Sequence, residues 1–321
     1  MAASVDVVVL AYNHWDLTSS CLRHLRAQTL HHRVIVVDNG STDNTREALS
    51  RDWPEVTVVG LEHNLPFTRA VNLGVAAGQG EYIVLLNNDV DLRPDCLEHL
   101  VAPLGDDPRI GSVAALLLRT DEKTIDSLGV TTDVTLAGFP RLQGLPCQRA
   151  HDPRPLLSGP EGTTAAYRRT AWERVGGLDE SIHAYMEILD IAWRLRQAGW
   201  ATSCAPRAIG VHLGSATFGR RSAIQRRMAG FSRGYLMRRY GVLRSQVAFR
   251  ALLTETVVVA GDMLLSGDLA ALRGRVAGWR AGAGKGRLAM PPAEAIDRTI
   301  SLRDSLRLRR GAYELPAEPP R

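Results

Sequence analysis

Apolar runs rich in β-branched side chains alternate, through the first part of the chain, with stretches whose apolar positions recur every three or four residues. Residues 5–11 (VDVVVLA) are apolar apart from Asp6, and 15–28 then carry Leu17, Cys21, Leu22 and Leu25 at helical spacing. A strand followed by a helix is expected. The pattern repeats. A strand at 33–37 stops at Asp38-Asn39-Gly40-Ser41, a turn cluster that also offers Ser41 or Asp43 as cap of the next helix. A third strand is expected at 56–61, a helix at 68–77, and a fourth, strongly apolar strand at 81–86 that ends in Asn87-Asn88-Asp89. Strands and helices alternating at this interval predict an α/β fold, with a mostly parallel, Rossmann-like sheet flanked by helices on both faces. Ligands of such sheets bind beyond the carboxyl ends of the strands. Tyr12-Asn13, Asp38 and the run from Asn87 to Asp91 all fall there.

After Leu116 the pattern loosens through a Gly/Pro-rich stretch before helices at 171–175 and 186–198, and residues 211–214 end the compact part. We therefore divide the chain into a catalytic unit, 1–215, and a C-terminal helical extension, 216–321. From Ser222 onward, Arg226, Arg227, Arg233, Arg238 and Arg239 interleave with Phe231, Tyr235, Leu236 and Tyr240, the pattern of a basic amphipathic helix. The most apolar segment, 247–266, contains Arg250, Glu255 and Asp262. A spanning helix needs ~20 apolar residues with few charges, so no crossing is expected here. The Pro-rich end, 315–321, is expected to fray.

Charge sharpens this division. The net charge is +5, but 216–321 holds 20 Lys and Arg against 8 Asp and Glu, leaving the first part at −7. A basic extension suits an anionic partner. It carries no helix-turn-helix, zinc or RNP signature, so nucleic acid is not expected and an anionic membrane surface is. A solvated basic face with no partner stays open. Four scattered cysteines without CxxC pairing, and a start that reads as a strand and not a signal peptide, point to a reducing cytoplasm.

Three groups of residues could carry chemistry. Asp89 closes the buried strand YIVLLNND, where a carboxylate meets the surface; Mg²⁺ or Mn²⁺ takes one or two carboxylates together with phosphate oxygens. Asp89 is the expected metal ligand, with Asp91 as neighbour and His212 completing the site. Such an Asn-Asp stretch also serves as a plain turn. Asp38 could accept the ring N–H of uracil or thymine, with Tyr12 stacking on the base, although both residue types are common in turns and packing. Glu187 and Asp190 lie three apart on one helix face and could deprotonate an attacking hydroxyl; the alternative is a solvated face with Asp190 paired to Arg194.

The order of these motifs resembles the inverting family 2 glycosyltransferases of the GT-A fold. The residues that carry the resemblance are VVVLAYN (7–13), VIVVDNGST (34–42), NLPFTRAVNLG (64–74), GEYIVLLNND (80–89), GGLDE (176–180), YMEILDIAWRLRQAG (185–199) and His212, spanning nearly all of 5–215. The resemblance implies a UDP- or dTDP-sugar donor, a divalent cation, a hydroxyl acceptor and inversion at the sugar. It makes Tyr12 and Asp38 base-binding, places Arg69, Asn72 and Asn88 with Asp89 at the donor, and matches Asn87-Asn88-Asp89 to the family's Asp-x-Asp. The chain looks most like bacterial rhamnosyltransferases. Their lipid acceptors imply a polyprenyl-linked glycan and a peripheral position on the inner face of the plasma membrane. One departure matters. Where the family shows Glu-Asp-x-Asp, this chain has Glu187-Ile188-Leu189-Asp190, and an isoleucine stands at the general base. Either Glu187 or Asp190 takes that role, or the chain is a non-catalytic sugar-nucleotide-binding pseudo-transferase.

Overall fold

The computed structural model describes residues 3–214 and 222–309. The expected boundary at 215/216 and the Pro-rich end at 315–321 lie outside the described residues. Strands β1 (Val5–Ala11), β2 (Arg33–Asp38), β3 (Thr57–Gly60) and β4 (Tyr82–Asn87) alternate with helices α1 (Trp15–Arg26), α2 (Thr45–Asp52) and α3 (Phe67–Ala76). The strands lie in the order β3-β2-β1-β4, parallel throughout. Val7 and Val9 of β1 face one apolar layer and Val8 the other, as the two-residue period of a strand buried on both faces requires. Asp6 is the one polar residue in that run. It accepts hydrogen bonds from Gly80 N, Arg33 and Arg169, so its buried charge is compensated.

The chain continues through β5 (Val90–Leu92), α4 (Cys96–Asp106), β6 (Ile110–Leu118), β7 (Ile125–Ser127), β8 (Val130–Thr132) and β9 (Gly138–Pro140) to β10 (Thr164–Arg168), α5 (Arg169–Val175), α6 (Glu187–Gln197) and β11 (Ala201–His212). The sheet extends from β4 as β10-β6-β11-β5, and β10 is antiparallel to both its neighbours. It is thus parallel through its N-terminal half and mixed beyond. Helices α1 and α4 bury Leu22, Leu25, Leu97 and Leu100 on one face, while α3, α5 and α6 bury Val71, Trp172 and Ile191 on the other. Contact on that second face is close: a Cβ on Gly74 would lie 2.5 Å from side-chain carbons of both Val8 and Val37.

Helices α7 (Ala223–Arg239), α8 (Ala248–Ser266), α9 (Ala270–Ala281) and α10 (Leu302–Leu308) form the extension. Their apolar residues join those of the first unit: Tyr235, Leu236 and Tyr240 pack with Leu189 and Trp193 of α6, the rings of Trp193 and Tyr240 meeting edge-on at 5.0 Å. Helix α7 crosses α9 at glycines, Gly230 and Gly234 on one and Gly274 and Gly278 on the other. An added Cβ on Gly234 would run into the Arg275 carbonyl, and one on Gly278 into that of Phe231. Small residues let the two backbones touch.

This packing corrects the reading of 222–240 as a basic helix turned to a membrane. Arg226 pairs with Asp262 and Asp268, and Arg233 is buried against Glu255 and the carbonyl of Leu136. The guanidinium groups of Arg238 and Arg239 stack on Trp279 and Tyr235. Its cationic side chains are mostly spent inside the protein.

Candidate active site

Register brings the carboxyl ends of three strands to one level: Ala11 of β1 stands beside Asp38 of β2, and Leu10 beside Asn87 of β4. Past that level Asn13 and His14 adopt left-handed backbone, φ 54° and 56°. Asn13 locks onto the neighbouring turn, its N–H donating to Ser41 Oγ at 2.8 Å and its Oδ1 accepting from Thr42 N at 2.8 Å. Tyr12 is half-buried between these turns. Asp38 is fully buried. Its Oδ1 accepts from Ser41 N at 3.0 Å and its Oδ2 from Arg46 Nε at 2.8 Å, so a base N–H would have to share a carboxylate already bonded twice.

Asp89, just beyond β4, is brought to the last residue of β11. Leu213 N donates to the Asp89 carbonyl, and His212 Nε2 stands 3.3 Å from Asp89 Oδ2. The other ring nitrogen, Nδ1, donates to Asp126 Oδ2 at 2.7 Å. Burial pulls the imidazole pKa down, but hydrogen bonds to Asp126 and Asp89 and their negative charges outweigh it and lift it to about 10 with no cation bound, so a cation at Asp89 would take Nε2 in place of that proton. Asp89 Oδ1 is buried with no hydrogen-bond partner. A buried carboxylate oxygen left unsatisfied, beside an imidazole oriented by a second carboxylate, is the donor set that a divalent cation takes. The residues therefore fit Mn²⁺ or Mg²⁺ held by Asp89 and His212. Among the described residues no group of three or more His, Cys, Asp or Glu is placed to enclose an ion.

Two expected members of this site turn away. The Asp91 carboxylate accepts from Ser20 Oγ at 3.1 Å and lies 3.1 Å from His24 Nδ1, so its Oδ1 is spent on α1. Asn88 donates to Thr18 Oγ1 at 2.9 Å on the same helix.

Across the sheet, Tyr185 and Met186 are again left-handed, φ 66° and 65°, and deliver Glu187 as the first residue of α6. Non-glycine residues held in this backbone region cost energy and concentrate at functional sites. Glu187 is buried and its Oε2 has no partner. Burial raises its pKa to about 7, and the negative charge of Glu161 adds to the rise. Asp190 behaves differently. Its Oδ2 accepts from Arg194 Nε at 2.7 Å and its Oδ1 from Tyr240 OH at 2.9 Å, which removes it as a candidate base. Ile188 is buried in the apolar layer against Gly162, where an added Cβ would sit 2.8 Å from Ile188 Cγ1.

Residues 6–176, more than half of the chain, match Glycosyl transferase family 2. The chain belongs to this family. An N-acetylglucosaminyl-diphospho-decaprenol L-rhamnosyltransferase of Mycobacterium tuberculosis is 28% identical over 201 residues, which cover 56% of this chain and 66% of that protein, just under two thirds of its length. The O-antigen biosynthesis protein RfbC of Myxococcus xanthus is 30% identical over 224 residues, 66% of this chain but 17% of its own. Two solved structures share the GT-A fold. A mannosyltransferase of Pyrobaculum calidifontis in complex with GDP-Man and Mn²⁺ superposes with a TM-score of 0.51 at 20% identity over 90% of this chain and 77% of its own. GalNAc-T7 with UDP, GalNAc and Mn²⁺ gives 0.59 at 14% identity over 89% and 55%.

Of the expected site residues in this family 2 chain, Asp89 and His212 meet directly, Asp38 and Tyr12 stand at the ends of neighbouring strands, and Glu187 is tied to His212 through the charge of Glu161. Arg69 is exposed in the first turn of α3. Asn72, expected in the donor pocket, instead clamps the loop before α6: it donates to the Leu178 carbonyl at 3.0 Å and accepts from Leu178 N at 3.0 Å. Two acids escaped the sequence reading, Asp126 behind His212 and Glu161 between the two halves of the site. The charges of His212 and Asp126 both act on Glu161, whose own pKa burial raises. Neither lies in a motif, and only sheet pairing brings them in.

Proposed function

We propose that this family 2 glycosyltransferase moves a sugar, rhamnose or another hexose or deoxyhexose, from a UDP- or dTDP-sugar to a hydroxyl acceptor with inversion. The observation that carries the reading is the pairing of Asp89 with His212, backed by Asp126, with the charge of Glu161 acting between His212 and Glu187 at the start of α6. A divalent cation bound there supplies charge neutralisation for the diphosphate as it departs. Asp89 and His212 hold that end of the donor, and Tyr12 and Asp38 receive the base. Glu187, with its pKa close to neutrality, takes the proton of the acceptor hydroxyl as its oxygen bonds to the anomeric carbon and the bond to the diphosphate breaks. Attack from the face opposite the leaving group inverts the centre.

The decaprenyl-linked acceptor in the name of the mycobacterial relative supports a polyprenyl-linked glycan as acceptor, in cell-surface glycan assembly. A glycosylated metabolite is the other acceptor class. A lipid-borne acceptor brings the chain to the inner face of the plasma membrane as a peripheral protein. Among the described residues no helix is long and apolar enough to cross a membrane. The isoleucine at 188 favours one rival reading, a pseudo-transferase that binds donor without turnover.

Calorimetric titration of UDP and dTDP, with and without Mn²⁺, on the wild type and on Asp89→Ala tests the donor site. Metal-dependent binding lost in the variant is expected, and no binding of either nucleotide with metal present overturns the proposal. Donor binding without transfer to any hydroxyl acceptor would leave the pseudo-transferase.

A further inference from the structure

Helix α8 is built inside out. Its three charged side chains point inward: Arg250 donates to the Ile300 carbonyl at 2.7 Å, Glu255 pairs with Arg233, Arg275 and Arg309, and Asp262 pairs with Arg226. Its outward stripe is apolar. Phe249, Leu252, Leu253, Val257, Ala260 and Leu264 recur at spacings of three and four, so they share one face, and all are exposed. Phe249 is 80% exposed, Leu264 86% and Leu265 88%, far beyond the isolated apolar side chain of an ordinary surface. The stripe runs on past the α8–α9 turn, because Leu269, just before α9, and Leu272 and Val276 within it are exposed at the same kind of spacing.

The unpaired charge around this stripe is mostly positive. Arg273 and Arg280 lie on the exposed face of α9, and Arg227 and Arg244 are exposed on the neighbouring segments. Glu255, Asp262 and Asp268 are the only acidic residues between 222 and 292, and each is bonded to arginine. An apolar stripe with a predominantly cationic rim complements the anionic surface of a lipid bilayer. Such a helix lies in the interface plane, apolar side chains at the headgroup boundary and cations at the phosphates. A second copy fits less well, since a two-fold contact through this face would bring the two arginine rims together.

We propose that the outer faces of α8 and α9 are a membrane-docking surface that inserts Phe249, Leu264 and Leu265 into an anionic bilayer. The face differs from the arginine-rich α7 that the sequence suggested. It goes beyond the proposed transfer reaction, since it holds whichever sugar or acceptor the active site takes.

The test is co-sedimentation of the full chain with vesicles of phosphatidylcholine containing phosphatidylglycerol, and with phosphatidylcholine vesicles alone. Wild type is expected on the anionic vesicles, with binding at least about tenfold weaker on the neutral ones. The double variant Leu264→Glu, Leu265→Glu places charge where side chains already meet water, so the fold is kept; it should lose about tenfold or more in anionic-vesicle binding. Nucleotide titration and the thermal midpoint should not change, and this separates failure of docking from failure of the donor site. A second double variant, Arg273→Glu, Arg280→Glu, should weaken anionic binding without touching the stripe. Undiminished vesicle binding by the Leu264/Leu265 variant overturns the proposal. So does a wild type that ignores vesicles, or one that is a dimer in solution and that the same substitution renders monomeric, which would make a second copy the occupant.

Discussion

Replacing Glu187 by Gln should cost activity and return stability, and the two effects can be read independently. In the folded protein the Glu187 carboxyl is raised from its ordinary 4.5 to about 7, first by burial. At 1.36 kcal/mol per unit, holding the ionised form in place costs roughly 3 kcal/mol. The sign follows from the raised value. The contribution of this group to stability is fully present below its unfolded pKa and is lost as pH rises through about 7. A glutamine has nothing to ionise, so Glu187→Gln should gain about 3 kcal/mol over wild type near pH 8 and about nothing near pH 4. For a chain of this size that amounts to a thermal midpoint higher by roughly 4 to 5 °C at the upper pH. Over the same range wild-type transfer should rise with pH, with an apparent pKa near 7 that belongs to the Glu161–Glu187 pair. The variant should lose ~10² to 10⁴ in kcat. Differential scanning calorimetry at the two pH values, with a transfer assay on the same preparations, checks both arms. A midpoint difference independent of pH, or a variant that keeps its rate, would refute the assignment of Glu187 as a strained, buried base.

Other outcomes follow from the same geometry. Asp126→Asn should leave the fold intact but weaken Mn²⁺-dependent nucleotide binding by ~10- to 100-fold, because His212 loses the carboxylate that orients it; calorimetry reads this directly. Asp190→Asn should cost about 3 to 5 kcal/mol in denaturant unfolding, since Arg194 is left without its buried partner. Gly234→Ala should destabilise by roughly 1 to 3 kcal/mol or more, because the new Cβ pushes α9 off α7. Glu255 is held well below the usual carboxylate range: three arginines overcome the effect of its burial. Its contribution is present above the unfolded pKa and fades as pH falls below it, so far-UV circular dichroism in an acid titration should show Glu255→Gln losing the wild type's advantage toward low pH.

Much of the N-terminal half could be read from the chain because its order is local. Continuous β-branched runs such as 7–9 and 34–37 suit strands buried on both faces, and each is followed by a helix of clear period, so β1 to β4 emerged within a residue or two of their observed ends. The carboxylates at those strand ends followed from the same pattern. What remained hidden was which of the candidate polar groups the fold leaves free. Asp190 and Glu187 lie on one helix with the same spacing signal, yet one is consumed by Arg194 and Tyr240 and the other is left with a free buried oxygen. Asp91 and Asn72 resemble ligands in sequence, but spend their polar atoms on Ser20 and on the Leu178 backbone.

The sequence by itself determined the α/β class, the strand ends where chemistry collects and the family, because periodicity and motif order are properties of neighbouring residues. Tertiary structure alone decided that Asp126 stands behind His212, that Glu187 and not Asp190 keeps a carboxylate oxygen without a partner, and that α7 turns its arginines inward while α8 turns its leucines out. Helical period reveals that a helix has two faces. Which of them meets water depends on what the rest of the chain offers opposite, and for α8 that was a set of buried arginines in place of an apolar layer.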